Sequence, residues 1–266
     1  MKAVAHTTKA LDSLADIELP VPSPSGRDLL VRVEAVGDQV SLFSKGDPVY
    51  YAGDVTRPGC DSEFHLVDER IVGRKPKTLD FAQAAAIPLT AITAWESYFD
   101  RMKIDPNGAH RGATLLIIGG AGGVGSIGIQ IAKVVAGLKV IATASRPETV
   151  AWVKELGADH VVDHSQPLRP QIEALGLNFV DYIANFNDTD RYWDAMGDLV
   201  APQGAVCMIV GSKGPRVAAC RRARAPATVH TRTRRRALRA RDSAPRTGPR
   251  AGGRARGTAP GRSAAA

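Results

Sequence analysis

The residues of this chain best suited to chemistry are three glycines at fixed spacing, Gly120-Ala-Gly122-Gly123-Val124-Gly125. Glycine at the first position permits a tight turn, and at the second it lets backbone N–H groups approach a ligand. At the third it lets a helix pack close to the preceding strand. A helix that begins there presents unpartnered amides and the positive end of its dipole, which together suit a pyrophosphate. Twenty residues further on, where a carboxylate would hold a ribose diol, the chain has Thr143-Ala-Ser145-Arg146, and no Asp or Glu occurs from Ser126 to Pro147. A hydroxyl and a guanidinium there suit a 2′-phosphate, and the absence of the acid argues for it more strongly than the arginine does. The plainer alternative is that Ser145 caps a helix, as a capping box with Glu148, while Arg146 is solvated.

A G-x-G-x-x-G run is weak on its own and gains meaning from its neighbours. Thr114–Ile118 is a continuous apolar strand, as expected when both faces of a parallel sheet are covered. Val124, Ile127, Gly128, Ile131, Ala132 and Val135 then recur at helical spacing, and Lys139–Thr143 reads as the next strand. A helix opening at Ser145–Glu148 and stopping at Gly157 follows. His160–Asp163, Val180–Ala184 and Ala205–Val210 supply three further strands. Strands alternating with helices predict an α/β fold with a doubly wound parallel sheet of the Rossmann type, and NADPH rather than NADH as its cofactor. Ala113–Ala132 is uncharged over a length that would span a bilayer, but its six glycines and its change of period make it strand, turn and helix.

Upstream the chain looks β-rich. Met1–His6 and Leu29–Val36 read as strands either side of the proline-rich turns at Pro20–Gly26, and Val49–Tyr51 and Glu63–Val67 as two more. Thr78 reads as the N-cap of a helix that Pro88 interrupts, with Leu89–Met102 resuming it. Ser212–Ala266 differs from everything before it. Of its 55 residues 40 are Ala, Arg, Gly or Pro, none is aromatic, and 16 are Lys or Arg against one acid, Asp242. Met1–Gly211 therefore carries 19 basic and 26 acidic residues, so the body is acidic and the tail supplies all the excess positive charge behind the chain's net +8. Two Val and one Leu do not offset the ordering entropy of so long a tract, so it is expected to be disordered. Its composition is that of a GC-rich gene read out of frame. The arginines would bind nucleic acid only non-specifically, since no aromatics are present to stack on bases.

Cys60, Cys207 and Cys220 lie far apart, which points to a reducing compartment and no structural zinc site. With no signal-like N-terminus, the expectation is a cytoplasmic chain without a membrane partner. His65 lies near Cys60, but two ligands do not make a metal centre.

The chain resembles the medium-chain dehydrogenase/reductase superfamily, in its quinone oxidoreductase (zinc-type alcohol dehydrogenase-like) branch. The likeness rests on Met1-Lys-Ala-Val, Leu29-Leu-Val-Arg-Val, Val36–Val49, Ala85-Ala-Ile-Pro-Leu-Thr90-Ala-Ile-Thr93-Ala-Trp95, the glycine run, Glu155-Leu-Gly-Ala-Asp159 and Leu199–Gly204. It implies a GroES-like β-barrel catalytic domain over 1–88, the Rossmann domain over 89–211 and the tail over 212–266. Hydride would pass from NADPH to a quinone, an enone or a similar electrophilic carbonyl compound. By this resemblance Thr93 lies near the nicotinamide or simply faces the barrel, and Tyr50 and Tyr51 line the substrate cleft or pack as strand aromatics. No catalytic acid is assigned.

Two departures set this chain apart. Val36 joins Gly37 directly where the family has a loop, a helix and a returning strand, so the barrel is truncated. The tail replaces the last sheet strand, leaving the sheet incomplete with an open edge beside Ala205–Val210. Impaired turnover follows, with self-association of exposed edges as homo-oligomer or aggregate. The alternatives are an NADPH-binding protein without turnover and a nucleic-acid binder acting through the tail.

Overall fold

A computed structural model of the chain describes residues 2–6, 14–23, 28–30, 33–60, 62–213 and 228–231. The N-terminal strands are short and form three small antiparallel sheets. β1 (Lys2–His6) pairs with β2 (Leu14–Glu18), a strand not anticipated from the sequence. β3 (Asp28–Leu30) lies between β4 (Ala35–Val36) and a strand further along, β6 (Leu66–Asp68), while β5 (Val49–Tyr51) pairs with β7 (Val72–Arg74).

Leu29–Val36 is therefore not one strand but a hairpin, with Leu29 opposite Val36 and Val33 at its turn with φ +43°. A β-branched residue in the left-handed region costs about 1–2 kcal/mol. Val33 is fully buried against Val49 and Val67, and burying a valine contributes about 1.5–3 kcal/mol, enough to offset that cost. The buried Glu69 carboxylate then ties down the chain beyond the hairpin, accepting from the Ser41 and Leu42 amides at 2.9 and 2.8 Å.

The first helix, α1 (Phe81–Ala85), begins at Asp80 rather than Thr78. Asp80 accepts from the Gln83 amide (2.7 Å) and donates its own amide to Gln83 Oε1 (3.1 Å). Thr78 has Phe81 three residues on and has no such reciprocal partner there. Pro88 opens α2 (Pro88–Trp95), which passes into a π-helical turn over Glu96–Arg101. Just before and within that turn Thr93 Oγ1 donates to the Leu89 carbonyl and Ser97 Oγ to the Thr93 carbonyl, both at 2.7 Å. Hydroxyls bonded back one turn bend a helix, which suits a change of helical period at this place.

The remaining elements alternate: β8 (Thr114–Ile118), α3 (Gly123–Val134), β9 (Lys139–Thr143), α4 (Pro147–Glu155), β10 (His160–Val162), α5 (Leu168–Ala174), β11 (Val180–Asn185), α6 (Thr189–Leu199), β12 (Val200–Met208) and β13 (Thr228–Thr231). The strands form one parallel sheet in the order β10-β9-β8-β11-β12-β13. Successive residues of β8 serve opposite faces. Leu115 and Ile117 pack with Ile129, Ala132 and Val153 on one side, Leu116 and Ile118 with Ile172, Met196 and Leu199 on the other. Past Thr114, whose hydroxyl donates to Asp181 Oδ2 (2.8 Å), burial on both faces leaves no polar position, which explains the apolar run from Leu115 to Ile118. Replacing the fully buried Ile183, central in β11 between β8 and β12, with alanine should cost about 3–4 kcal/mol, read as a lowered urea midpoint.

The expectation for the tail is corrected at its start and at β13. Ser212 Oγ donates to Asp190 Oδ1 (2.8 Å), and Thr228-Val-His-Thr231 adds a sixth strand on the open edge of β12. Unpaired edge amides and carbonyls recruit a partner, and this stretch is rich in β-branched residues. The rest of the tail lies outside the described residues. All described residues fall within one compact unit, residues 1–233.

Candidate functional site

The strand order reverses between β8 and β11, and in open parallel sheets ligands bind beyond the C-terminal strand ends at such a point. The glycine run occupies that place. Gly119 donates its amide to Thr143 Oγ1 at the end of β9 (2.9 Å), and Gly122 donates to the Gly119 carbonyl (3.1 Å). A Cβ at Gly120 would lie 2.9 Å from Ala142 Cβ. At Gly125 it would lie 2.2 Å from the Gly119 oxygen and 2.5 Å from the Gly120 oxygen. Only glycine allows α3 to start this close to the end of β8. Gly122 caps α3 without a side-chain acceptor and the first turn holds no acid, so Gly123, Val124 and Gly125 supply the amides a helix leaves without internal partners. The result is a cradle for an anionic group, and it fits a pyrophosphate.

Sequence reasoning missed a neighbour. Thr90 of α2 puts Cγ2 3.2 Å from where a Cβ of Gly123 would lie, so α2 closes against the cradle. Its helical context gave no signal of this.

At the neighbouring strand ends, Ser145 does not cap α4. The cap is Arg146, whose amide donates to Thr149 Oγ1 (3.2 Å). Ser145 Oγ instead lies 3.1 Å from His164 Nε2, beyond β10. The Arg146 guanidinium is exposed and pairs with Glu148 at 3.1 Å, a solvated contact that an incoming phosphate can displace.

The other candidates settle into the packing of their own elements. Thr93 is buried and its hydroxyl bonds to Leu89. Tyr50 lies over Gly73, with Cε1 2.7 Å from the position of a Cβ there. Tyr51 packs on the cluster of Val33, Val49 and Val67, stacks on the His65 ring at 5.6 Å, and its hydroxyl lies 3.2 Å from His65 Nδ1. Burial, with Cys60 adding to it, pushes the Tyr51 phenol well above its ordinary range, so it stays protonated.

Zinc does not fit here. His65 engages both ring nitrogens, the second with the Pro58 carbonyl at 2.9 Å, and Cys60 is exposed. Among the described residues no three His, Cys, Asp or Glu side chains converge on one point, and no helix is long and apolar enough to cross a membrane.

Comparison with known proteins bears on the family and the fold. Residues 123–238 match the zinc-binding dehydrogenase family model, which runs past the change in composition at Gly211 and through β13. A zinc-type alcohol dehydrogenase-like protein of Staphylococcus epidermidis is 44% identical over 191 residues, 71% of this chain and 56% of the relative. The chloroplastic NADPH-dependent alkenal/one oxidoreductase of Arabidopsis thaliana is 35% identical over 166 residues, 59% of this chain and 39% of the relative. The chain thus spans about half the length of the curated relatives it matches. A crystal structure from Rhizobium etli CFN 42, provisionally described as a zinc-dependent alcohol dehydrogenase, is 45% identical, with a TM-score of 0.81 over 87% of this chain and 78% of that one.

Proposed function

Because the chain belongs to the zinc-binding dehydrogenase family of the medium-chain dehydrogenase/reductase superfamily, a family of oxidoreductases, we propose that it binds NADPH and passes hydride to a quinone or an enone, slowly in this form. The observation that carries this reading is the 2.2 Å approach a Cβ at Gly125 would make to the Gly119 oxygen. It draws the amides of Gly123, Val124 and Gly125 onto the turn that Gly120 and Gly122 form, where a pyrophosphate fits. NADPH supplies the hydride; the chain's own residues bind and orient it.

Ser145 and Arg146 select the phosphorylated ribose; no Asp or Glu occurs from Ser126 to Pro147, and the Glu148 carboxylate that follows is paired with Arg146. The name of the Arabidopsis relative supports both the cofactor and the α,β-unsaturated carbonyl class of substrate. Thr93, Tyr50 and Tyr51 belong to the substrate side of this proposal, where their hydrogen bonds and packing favour shaping the cleft over proton transfer. Arg146→Ala should narrow the preference for NADPH over NADH about three- to tenfold by weakening NADPH alone, because the contact is solvated. Fluorescence titration with both cofactors measures this. Equal or tighter binding of NADH to the unaltered chain would overturn the cofactor assignment. NADPH consumption dependent on an added enone or quinone tests the reaction; binding without consumption would favour the second reading, a cofactor-holding protein without turnover.

A further inference from the structure

β9 and β10 run parallel with Thr143 opposite Val162, so the residues after each strand emerge side by side at the same end of the sheet. His164 emerges there with Nε2 3.1 Å from Ser145 Oγ. Its other ring nitrogen, Nδ1, is buried without a hydrogen-bond partner among the described residues. A buried N–H lacking an acceptor is less well tolerated than a bare lone pair, so the neutral ring carries its proton on Nε2. Nε2–H then donates to Ser145 Oγ, and the serine's own proton is turned away from His164, available to a ligand beside Arg146. Protonating Nδ1 leaves the Nε2–H donor in place, and although the added N–H has no acceptor among the described residues, a 2′-phosphate bound beside the ring supplies the negative charge that favours it.

The charged surroundings are mixed. From α6, Arg191 donates to the His164 carbonyl at 3.2 Å. From the start of α4 come Arg146 and Glu148, paired at 3.1 Å. On its own segment His164 follows Asp163, whose carboxylate accepts from the Ser165 amide at 2.8 Å and is held below the usual range first by that bond.

We propose that His164 is a positioning residue for Ser145 and makes recognition of a 2′-phosphomonoester depend on pH, so that the preference for NADPH over NADH weakens as the imidazole loses its charge. This rests on the reading of Ser145 and Arg146 as the 2′ site. A phosphomonoester keeps its second charge above about pH 6, and that charge beside the ring favours the imidazolium, so the preference is expected to be stronger on the acid side.

The test uses the full chain with 2′,5′-ADP and 5′-AMP, which differ only in the 2′-phosphate, titrated calorimetrically at two pH values. The ratio of their affinities should fall roughly three- to tenfold from about pH 6.5 to about pH 8, one partly screened charge pair being lost. His164→Asn keeps an amide donor for Ser145 without the charge. It should hold the ratio near the unaltered chain's value at the higher pH and remove its pH dependence. Should that variant not fold, NMR titration of the His164 ring in the unaltered chain serves instead: 2′,5′-ADP should raise its midpoint and 5′-AMP should not. A ratio that favours 2′,5′-ADP and depends on Arg146, yet is flat with pH, overturns the role of His164 alone. No preference for 2′,5′-ADP at either pH overturns both this role and the NADPH assignment.

Discussion

Gly125→Ala should cost about 2–3 kcal/mol of stability and weaken NADPH binding about a hundredfold or more, although it adds a single methyl group. The atoms that methyl would meet are the Gly119 oxygen at 2.2 Å, the Gly120 oxygen at 2.5 Å and the Gly120 carbonyl carbon at 2.7 Å. All three are backbone, so no rotamer change relieves the contact. Either α3 retreats from β8, opening its packing on Leu115 and Ile117, or the turn deforms and its amides no longer converge. Gly59→Ala is the control, since a Cβ there meets nothing within 4 Å and its backbone is not left-handed. Urea midpoints of both variants and NADPH titration of the folded fraction measure the two effects. Unchanged affinity in folded Gly125→Ala would show that the pyrophosphate is held elsewhere.

The second large effect is in turnover. Reduction of an alkenal or a simple quinone should be at least about a hundredfold slower than by the Arabidopsis relative assayed beside it, the penalty expected for a misplacement of about 1 Å. Val36 ends the β3–β4 hairpin and joins Gly37 directly, where the family resemblance places a loop, a helix and a returning strand that supply much of the pocket. The remaining polar groups nearby are occupied: Tyr51 with His65, Thr93 with Leu89. Among the described residues, those two hydroxyls are thus engaged with protein groups rather than held ready for a nicotinamide ring or a carbonyl compound. Single-turnover oxidation of bound NADPH, followed with and without the electrophile, gives the rate. Turnover within about tenfold of the relative would mean that the substrate side is complete without the missing stretch.

The sheet was legible because its strands are buried twice. Thr114–Ile118 and Lys139–Thr143 are legible to the residue, since parallel neighbours on both edges and helices on both faces leave only apolar residues at 115–118 and 140–142. The N-terminal strands were less legible for the opposite reason. Two- and three-stranded sheets bury little, so a single side chain such as Val33 decides a turn that pattern alone reads as continuous strand. Helix starts were misplaced where two capping residues compete: Asp80 displaced Thr78 because Gln83 answers it, and Arg146 displaced Ser145 because Thr149 does. β13 was hidden by the composition around it, four β-branched or imidazole residues within an arginine-rich tract. His164 carried no pattern at all, and only the parallel register of β9 and β10 brings it to Ser145.

The cradle is drawn almost wholly from one continuous stretch, β8 through α3 to β9, and that has a thermodynamic consequence. Any molecule that binds only the folded form shifts the folding equilibrium by mass action, by about 2.7 kcal/mol when present at a hundred times its dissociation constant. A chain that recognises NADPH through that stretch, but oxidises it slowly, keeps its ligand long enough for the shift to persist. For such a protein the cofactor acts as a conformational stabiliser more than as a reductant, and the fraction of chains folded follows the cofactor concentration around them.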